Sequence, residues 1–188
     1  MVDYEGIIKK YCAGNQELLH ILFTHSRQVA DRALAILKLH PEWVESGEID
    51  PVFVEEAAML HDIGVVFCDA AKIHCLGTHK YIEHGYLGAN VLREEGLLRH
   101  AAVAERHTGT GITIEQIIQE NLPLPLQDYS PRTMEEKLIC YADKFYSKTK
   151  LGQEKPMSKI RQHMWRYGSD AVARFDKMRV LFEPNLTV

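Results

Sequence analysis

Apolar residues recur at helical spacing along nearly the whole chain, and no stretch alternates apolar and polar as a half-buried strand would. That periodicity predicts an all-α fold. From Leu18 to about Leu39 the stripe reads Leu18, Leu22, His25, Val29, Ala33, Ile36, ending before Pro41. A shorter helix is expected from Pro51, acceptable in a first turn, through Ala57, Ala58 and Leu60 to roughly Gly64. After a loop from Cys68 to about Lys80, one helix carries Leu87, Val91 and Leu92 and breaks near Gly96, and another runs from Leu97 to Arg106. Thr108-Gly109-Thr110-Gly111 stops it. Thr113 with Gln116 and Thr133 with Glu136 read as capping boxes, the first opening a short helix to Glu120 and the second a helix holding Leu138, Ala142 and Phe145. Between them, Pro123, Pro125 and Pro131 exclude regular helix. A final helix is expected from about Pro156 to Phe182, with a soft interruption at Gly168. Continuous α structure over 188 residues, without repeats, reads as one domain, 1–188.

Function is suggested where polar residues interrupt those stripes. His25 takes a core position in its helix. His61 falls four after Ala57, with Asp62 directly following and bracketed by Leu60 and Ile63. His84 heads the stripe Leu87, Gly88, Val91; His107 ends the stripe Val103, Ala104; Asp143 lies four after Ile139. A single inward histidine is more often a hydrogen-bonded core residue than a ligand. Inward carboxylates are different, because burying them is costly unless cations or metals pair with them. Four histidines and two aspartates converging from five helices make a metal centre the economical reading. Nitrogen and oxygen donors without thiolate suit Fe, Mn, Co, Ni or Zn, and six ligands suffice for two ions sharing a carboxylate.

At these residues the chain resembles the HD-domain superfamily of metal-dependent phosphohydrolases: His25, then His61-Asp62 in HDIG, then Asp143 in YADK, in that order, over roughly Leu18 to Lys150. His84 in EHGYLGANVL and His107 in ERHTGTG resemble those of the dinuclear subgroup that includes small bacterial diadenosine-tetraphosphate hydrolases and cyclic-dinucleotide phosphodiesterases. The resemblance implies an HD-type helical bundle with its metal-binding core at about 18–150 and a C-terminal helical segment at 156–183. It implies two divalent ions, with Asp62 bridging as the catalytic carboxylate, His25, His61 and Asp143 on one ion, and His84 and His107 on the other. Two departures stand out. Many members carry a lysine directly after HDIG, where this chain has Val65-Val66, and the Gly-Tyr-Pro element of the cyclic-dinucleotide phosphodiesterases is missing after His107. Other cations must then meet a substrate phosphate: Lys80, one helical turn before His84 if the helix already includes it, then Lys144 and Lys148.

The remaining polar residues read as ordinary structure. His20, His40, His100 and His163 are assigned to surfaces or helix ends, and His74 to solvent, while His79 divides between solvent and the site mouth. Tyr81, Tyr141 and Tyr146 read as core, with Tyr146, one turn beyond Asp143, within reach of the site as the alternative, and Arg161, Arg166 and Arg174 as a solvated face. The four cysteines, Cys12, Cys68, Cys75 and Cys140, are too scattered for a zinc knuckle or disulfide framework. A net charge of −4 without blocks of one sign argues against a nucleic-acid module. No segment has the ~18 apolar residues of a membrane span, and the N-terminus reads as no targeting signal, so a cytoplasmic protein is expected. The expected function is hydrolysis of a phosphomonoester or phosphoanhydride in a small metabolite, a nucleotide first. A di-iron oxygenase and a non-catalytic nucleotide-binding module stay open, as does the oligomeric state.

Overall fold

Asn15 starts the longest helix by accepting a hydrogen bond from Leu18 N at 3.0 Å. The structure, a computed structural model, describes residues 1–186. Ten α-helices lie in this range: α1 Tyr4–Tyr11, α2 Gln16–Leu39, α3 Pro41–Glu45, α4 Pro51–Leu60, α5 His84–Glu94, α6 Leu98–Arg106, α7 Ile114–Gln119, α8 Met134–Asp143, α9 Met157–Met164 and α10 Ser169–Phe182. Two-residue strands β1 (Asp69–Ala70) and β2 (Cys75–Leu76) pair antiparallel inside the loop before α5, with Asp69 opposite Leu76. The fold is an all-helical single domain.

The apolar stripe of α2 is buried as its spacing requires, from Leu18 and Leu22 through His25 and Val29 to Ile36. Asp50 caps α4 at Val52 N, 2.9 Å, with Pro51 in the first turn. Seven of the ten residues of α4 are buried, and it forms the centre against which α2, α6 and α8 pack. Tyr141 of α8 meets Phe145, Phe175 and Phe182 with ring centroids 5.1, 5.4 and 5.7 Å away, fastening α10 to this core. Ile112, Ile117 and Tyr129 form a smaller apolar cluster to one side.

Several boundaries differ from the sequence reading. The interruption expected at Gly168 within the 156–182 helix is a complete break: α9 ends at Met164, a 3-10 turn covers Trp165–Tyr167, and Gly168 adopts φ 92° and ψ 167°, open essentially only to glycine. The helix expected to reach Gly64 stops at Leu60 and gives way to a 3-10 turn at Ile63–Phe67. The helix expected to include Phe145 ends at Asp143. Thr113 and Gln116 form a full capping box, but only half of the second forms: Thr133 caps Glu136 N at 3.2 Å, while the Glu136 carboxylate turns to Arg132 N and Arg106. The short helices α1 and α3 have no counterpart in the sequence reading.

Close backbone approach seats α5. A Cβ on Gly64 would lie 2.1 Å from His84 O and 2.3 Å from Gly88 N. The Gly of HDIG therefore lets the first turns of α5 press directly against the segment that carries His61 and Asp62. No helix among the described residues is long and apolar enough to cross a membrane.

Candidate metal centre

The six candidate ligands arrive from the inner face of α2 (His25), the end of α4 (His61, Asp62), the start of α5 (His84), the end of α6 (His107) and the end of α8 (Asp143). All but Asp143 are almost wholly buried, and the Asp143 side chain is 14% exposed. They form two groups that share Asp62. Asp62 Oδ2 lies 3.1 Å from His25 Nε2 and 3.0 Å from His61 Nε2, and Asp143 Oδ1 lies 3.0 and 3.6 Å from the same two nitrogens. The other oxygen, Asp62 Oδ1, faces His84 Nε2 at 3.4 Å and His107 Nε2 at 3.3 Å. One carboxylate thus presents each of its oxygens to a different histidine pair.

Tautomers are set from behind. The Nδ1–H groups of His61, His84 and His107 donate to the carbonyls of Ala58, Tyr81 and Ala104 at 2.6, 2.6 and 2.7 Å. Each of these bonds reaches back three residues, a consequence of placing the histidine at a helix end or first turn. Protonating Nδ1 leaves Nε2 with a lone pair, the form that binds metal. His84 Nε2 and His107 Nε2 then face each other at 3.0 Å as two acceptors, an arrangement that repels unless a cation or proton lies between them. Both oxygens of Asp62, His61 Nε2 and both ring nitrogens of His25 are buried without a well-aligned hydrogen bond. Short distances, poor hydrogen-bond alignment and a sulfur-free donor set fit divalent metal ions, and the six residues are suited to hold them.

The electrostatics divide the groups. Burial and the neighbouring His107 lower the His84 pKa to about 3, and burial also lowers His107. Without a metal, burial disfavours the His61 cation but Asp62 and Asp143 outweigh it and raise its pKa to about 9, so a bound metal ion would displace the proton from Nε2. Both aspartates are held well below the usual carboxylate range despite burial, Asp62 by His61 and Lys148 and Asp143 by Lys144 and His25.

Above the two groups opens a cavity of about 510 Å³, walled by His25, His84, His107 and Asp143 at its base and by Lys72, Lys144, Lys148 and Lys155 around them. Lys144 Nζ lies 2.7 Å from Asp143 Oδ2 and donates to His107 O at 3.0 Å. Lys148 Nζ reaches Asp62 Oδ2 at 2.5 Å. Lys80 does not join them. It is exposed and extended, and a 3-10 turn at Tyr81–Glu83 separates it from α5, which begins only at His84. Sequence reasoning missed Lys72, Lys155 and His163, which also line the cavity. Burial, aided by Lys144 and Lys148 and opposed by Asp143, lowers Lys155 to about 8. The signal for Lys155 was legible: lysines crowd the segment directly after Asp143 in DKFYSKTKLGQEK.

Other assignments change as well. His100 is buried against Glu56 at 3.3 Å rather than lying at the surface. Arg174 binds Thr110 O and Gly111 O at 3.2 Å each instead of facing solvent, and Arg161 pairs with Asp176. Tyr141 is core as expected, Tyr81 is instead 40% exposed at the cavity edge, and Tyr146 takes its alternative place, lining the cavity one turn beyond Asp143. His74 is exposed, and His79 lies half-exposed beside Glu83 at 3.1 Å, outside the cavity wall.

A helical bundle that brings histidine and aspartate donors from five helices to the floor of a basic cavity defines a class of metal-site proteins. The profile of the HD domain matches residues 22–147, and the chain belongs to that family. Among its relatives is an uncharacterized protein of Methanocaldococcus jannaschii, 37% identical over 146 residues that cover 77% of this chain and 74% of that protein. Two others are named tRNA (cytidine(56)-2'-O)-methyltransferase. The one from Picrophilus torridus is 30% identical over 76% of this chain, and the one from Thermoplasma volcanium 32% identical over 67%. The matched region spans only 39% and 32% of those two longer proteins. No solved structure matches the chain significantly.

Proposed function

We propose that this chain is a metal-dependent phosphohydrolase that cleaves a phosphomonoester or phosphoanhydride bond in a small metabolite, a nucleotide first, using two divalent ions. The observation that carries the reading is the split presentation of Asp62, with Oδ2 toward His25 and His61 and Oδ1 toward His84 and His107. His25, His61, Asp62 and Asp143 would hold one ion, and Asp62, His84 and His107 the other. When bound, the ions supply Lewis acidity toward phosphate oxygens and a hydroxide nucleophile near neutral pH.

The chain's own residues do the rest. The Nδ1–H bonds to Ala58, Tyr81 and Ala104 hold three imidazoles in the ligating tautomer and orientation. Lys144, Lys148 and Lys155 receive the substrate phosphate, taking over the role of the lysine that many family members carry after HDIG. The valines in that place point elsewhere, Val65 being fully buried. The cavity volume lies within the ~300–1,000 Å³ usual for small-molecule sites. Methyl transfer to tRNA belongs to the names of two longer relatives. A pocket floored by metal-ligand residues and ringed by lysines instead supports phosphate chemistry on a small molecule.

The test begins with metal analysis of protein purified without chelator or tag-derived metal, as wild type and as His84→Ala with His107→Ala. Two equivalents falling to one or fewer, with phosphate release from a nucleotide panel under argon with manganese or cobalt, is the expected result. Less than half an equivalent, with no uptake of iron, manganese or zinc on reconstitution, would overturn the two-metal centre. Turnover only in the presence of oxygen would overturn hydrolysis in favour of oxygenation.

A further inference from the structure

A second, smaller cavity of about 150 Å³ adjoins the first, and Ile82, Thr108, Gly109 and Tyr167 form part of the wall of both. We infer that this side pocket is the subsite for a nucleobase, so that the substrate is a nucleotide lying with its phosphate among the lysines and its base beside Tyr167. The inference rests on the phosphohydrolase reading above and adds where the non-phosphate end of the substrate sits.

Size, chemistry and rigidity all favour this occupant. A cavity of about 150 Å³ is of the size that takes one small aromatic ring rather than a chain or a peptide. Its inner wall is apolar, made by Ile112, Leu122 and Ala171, and it rests on the side cluster of Ile112, Ile117 and Tyr129. Polar atoms lie in the wall at Gln116 and Glu120. The Gln116 amide is fixed on both sides: Oε1 accepts from Thr113 N at 3.1 Å and from Arg174 at 3.2 Å, while Nε2 donates to Tyr167 O at 3.2 Å. One amide proton of Gln116 is left over, and the Glu120 carboxylate accepts only. A donor and an acceptor beside an apolar slot are what a flat heteroaromatic ring with its own donors and acceptors requires. The backbone around the slot is tied down, since Arg174 holds Thr110 O and Gly111 O, and Thr110 Oγ1 donates to Ala171 O at 3.1 Å. Such a slot is preformed rather than closed by the ligand.

The probes are the four common nucleoside 5′-monophosphates and ribose 5-phosphate, which keeps the sugar and phosphate and lacks the base. Binding to the protein purified with its metal is measured by titration calorimetry, and hydrolysis by phosphate release. At least one nucleotide is expected to bind tenfold or more tightly than ribose 5-phosphate. Leu122→Trp, which fills the slot from a half-buried loop position, should reduce that advantage to threefold or less and leave ribose 5-phosphate binding unchanged. Gln116→Ala, checked for an unchanged melting temperature, supplies an independent variant if the tryptophan disturbs folding. Equal binding of ribose 5-phosphate and all four nucleotides would overturn the inference, as would a base advantage that survives both variants. A base advantage without phosphate release would uphold the subsite and overturn the phosphohydrolase reading, so the two fail separately.

Discussion

Replacing Gly64 by alanine tests how the second half of the centre is held. Gly64 has no left-handed backbone requirement, so in open space alanine would be mildly stabilising, by ~0.4–1 kcal/mol, through the unfolded chain. Here the new Cβ would sit 2.1 Å from His84 O, 2.3 Å from Gly88 N and 2.8 Å from Gly88 Cα, all backbone atoms. Restoring ordinary contact at about 3.5 Å moves α5 away by more than an ångström. His84 heads that helix, and its Nε2 stands 3.4 Å from Asp62 Oδ1, so the same displacement pulls it from the shared carboxylate. Overpacking of this kind costs ~1–3 kcal/mol. For a chain of this size that lowers the melting temperature by roughly 2–12 °C. A Cβ on Gly88 would meet Gly64 N at 3.0 Å and other atoms only at 3.4 Å, which a small shift relieves. Thermal unfolding by circular dichroism, together with metal content, should rank Gly64→Ala well below Gly88→Ala, with about one equivalent of metal lost in the former. A Gly64→Ala protein that melts with the wild type and keeps its metal would refute this reasoning.

Three further predictions follow from the electrostatics. Because His84 has a folded pKa of about 3 against ~6.5 unfolded, the unfolded chain holds a proton between those values that the folded chain lacks. Its contribution is full above pH ~6.5 and is lost as pH falls, by up to ~1.4 kcal/mol per unit; denaturant midpoints of chelator-treated protein from pH 7 to 5 should flatten in His84→Gln, and an unchanged slope would count against the assignment. Lys148→Met removes one of the two cations, with His61, that face the buried Asp62 carboxylate and should cost ~3 kcal/mol in chelator-treated protein, a loss that manganese largely removes; an equal cost with and without manganese would show that Lys148 does not neutralise Asp62. Burial pushes the thiols of Cys12, Cys75 and Cys140 up to about 11 and Cys68 to about 12, so a disulfide reagent at pH 8 should label none in the native protein and all four in denaturant.

What could be read from the sequence was whatever depends on phase along a helix. His25 occupies one step of an otherwise apolar stripe, and its buried position follows from that spacing. His61 and His107 follow the same logic at helix ends. The failures share a different cause. Lys80 was placed by counting back from His84, but the chain enters α5 through a 3-10 turn, and residue counting does not see that change of pitch. The interruption expected at Gly168 is there, but its depth was not legible: the preceding turn is already 3-10 and Gly168 takes a φ that ends the helix outright. The crowding of lysines after Asp143 pointed toward Lys155, but which of them enters the cavity is set by tertiary contacts such as Lys155 N to Phe145 O at 2.7 Å, and Lys72 reaches it from a 3-10 turn at Ala71–Ile73 inside the loop before α5. His100 is buried because Glu56 of another helix awaits it, a pairing with no local trace.

The two ligand groups differ in how much of the chain each one ties together. His84 and His107 belong to consecutive helices, so their group, with Asp62, closes only neighbouring segments. His25 and Asp143 stand near opposite ends of the family-matched region and meet across α4. A fluctuation that lifts α8 from α2 would therefore dismantle the first group while sparing the second. Loading the first group acts as a long-range cross-link, and amide exchange in α2 and α8 becomes a direct reporter of its occupancy. Protease susceptibility of chelator-treated protein would then be governed by how often α8 opens, well before any change in its equilibrium fold.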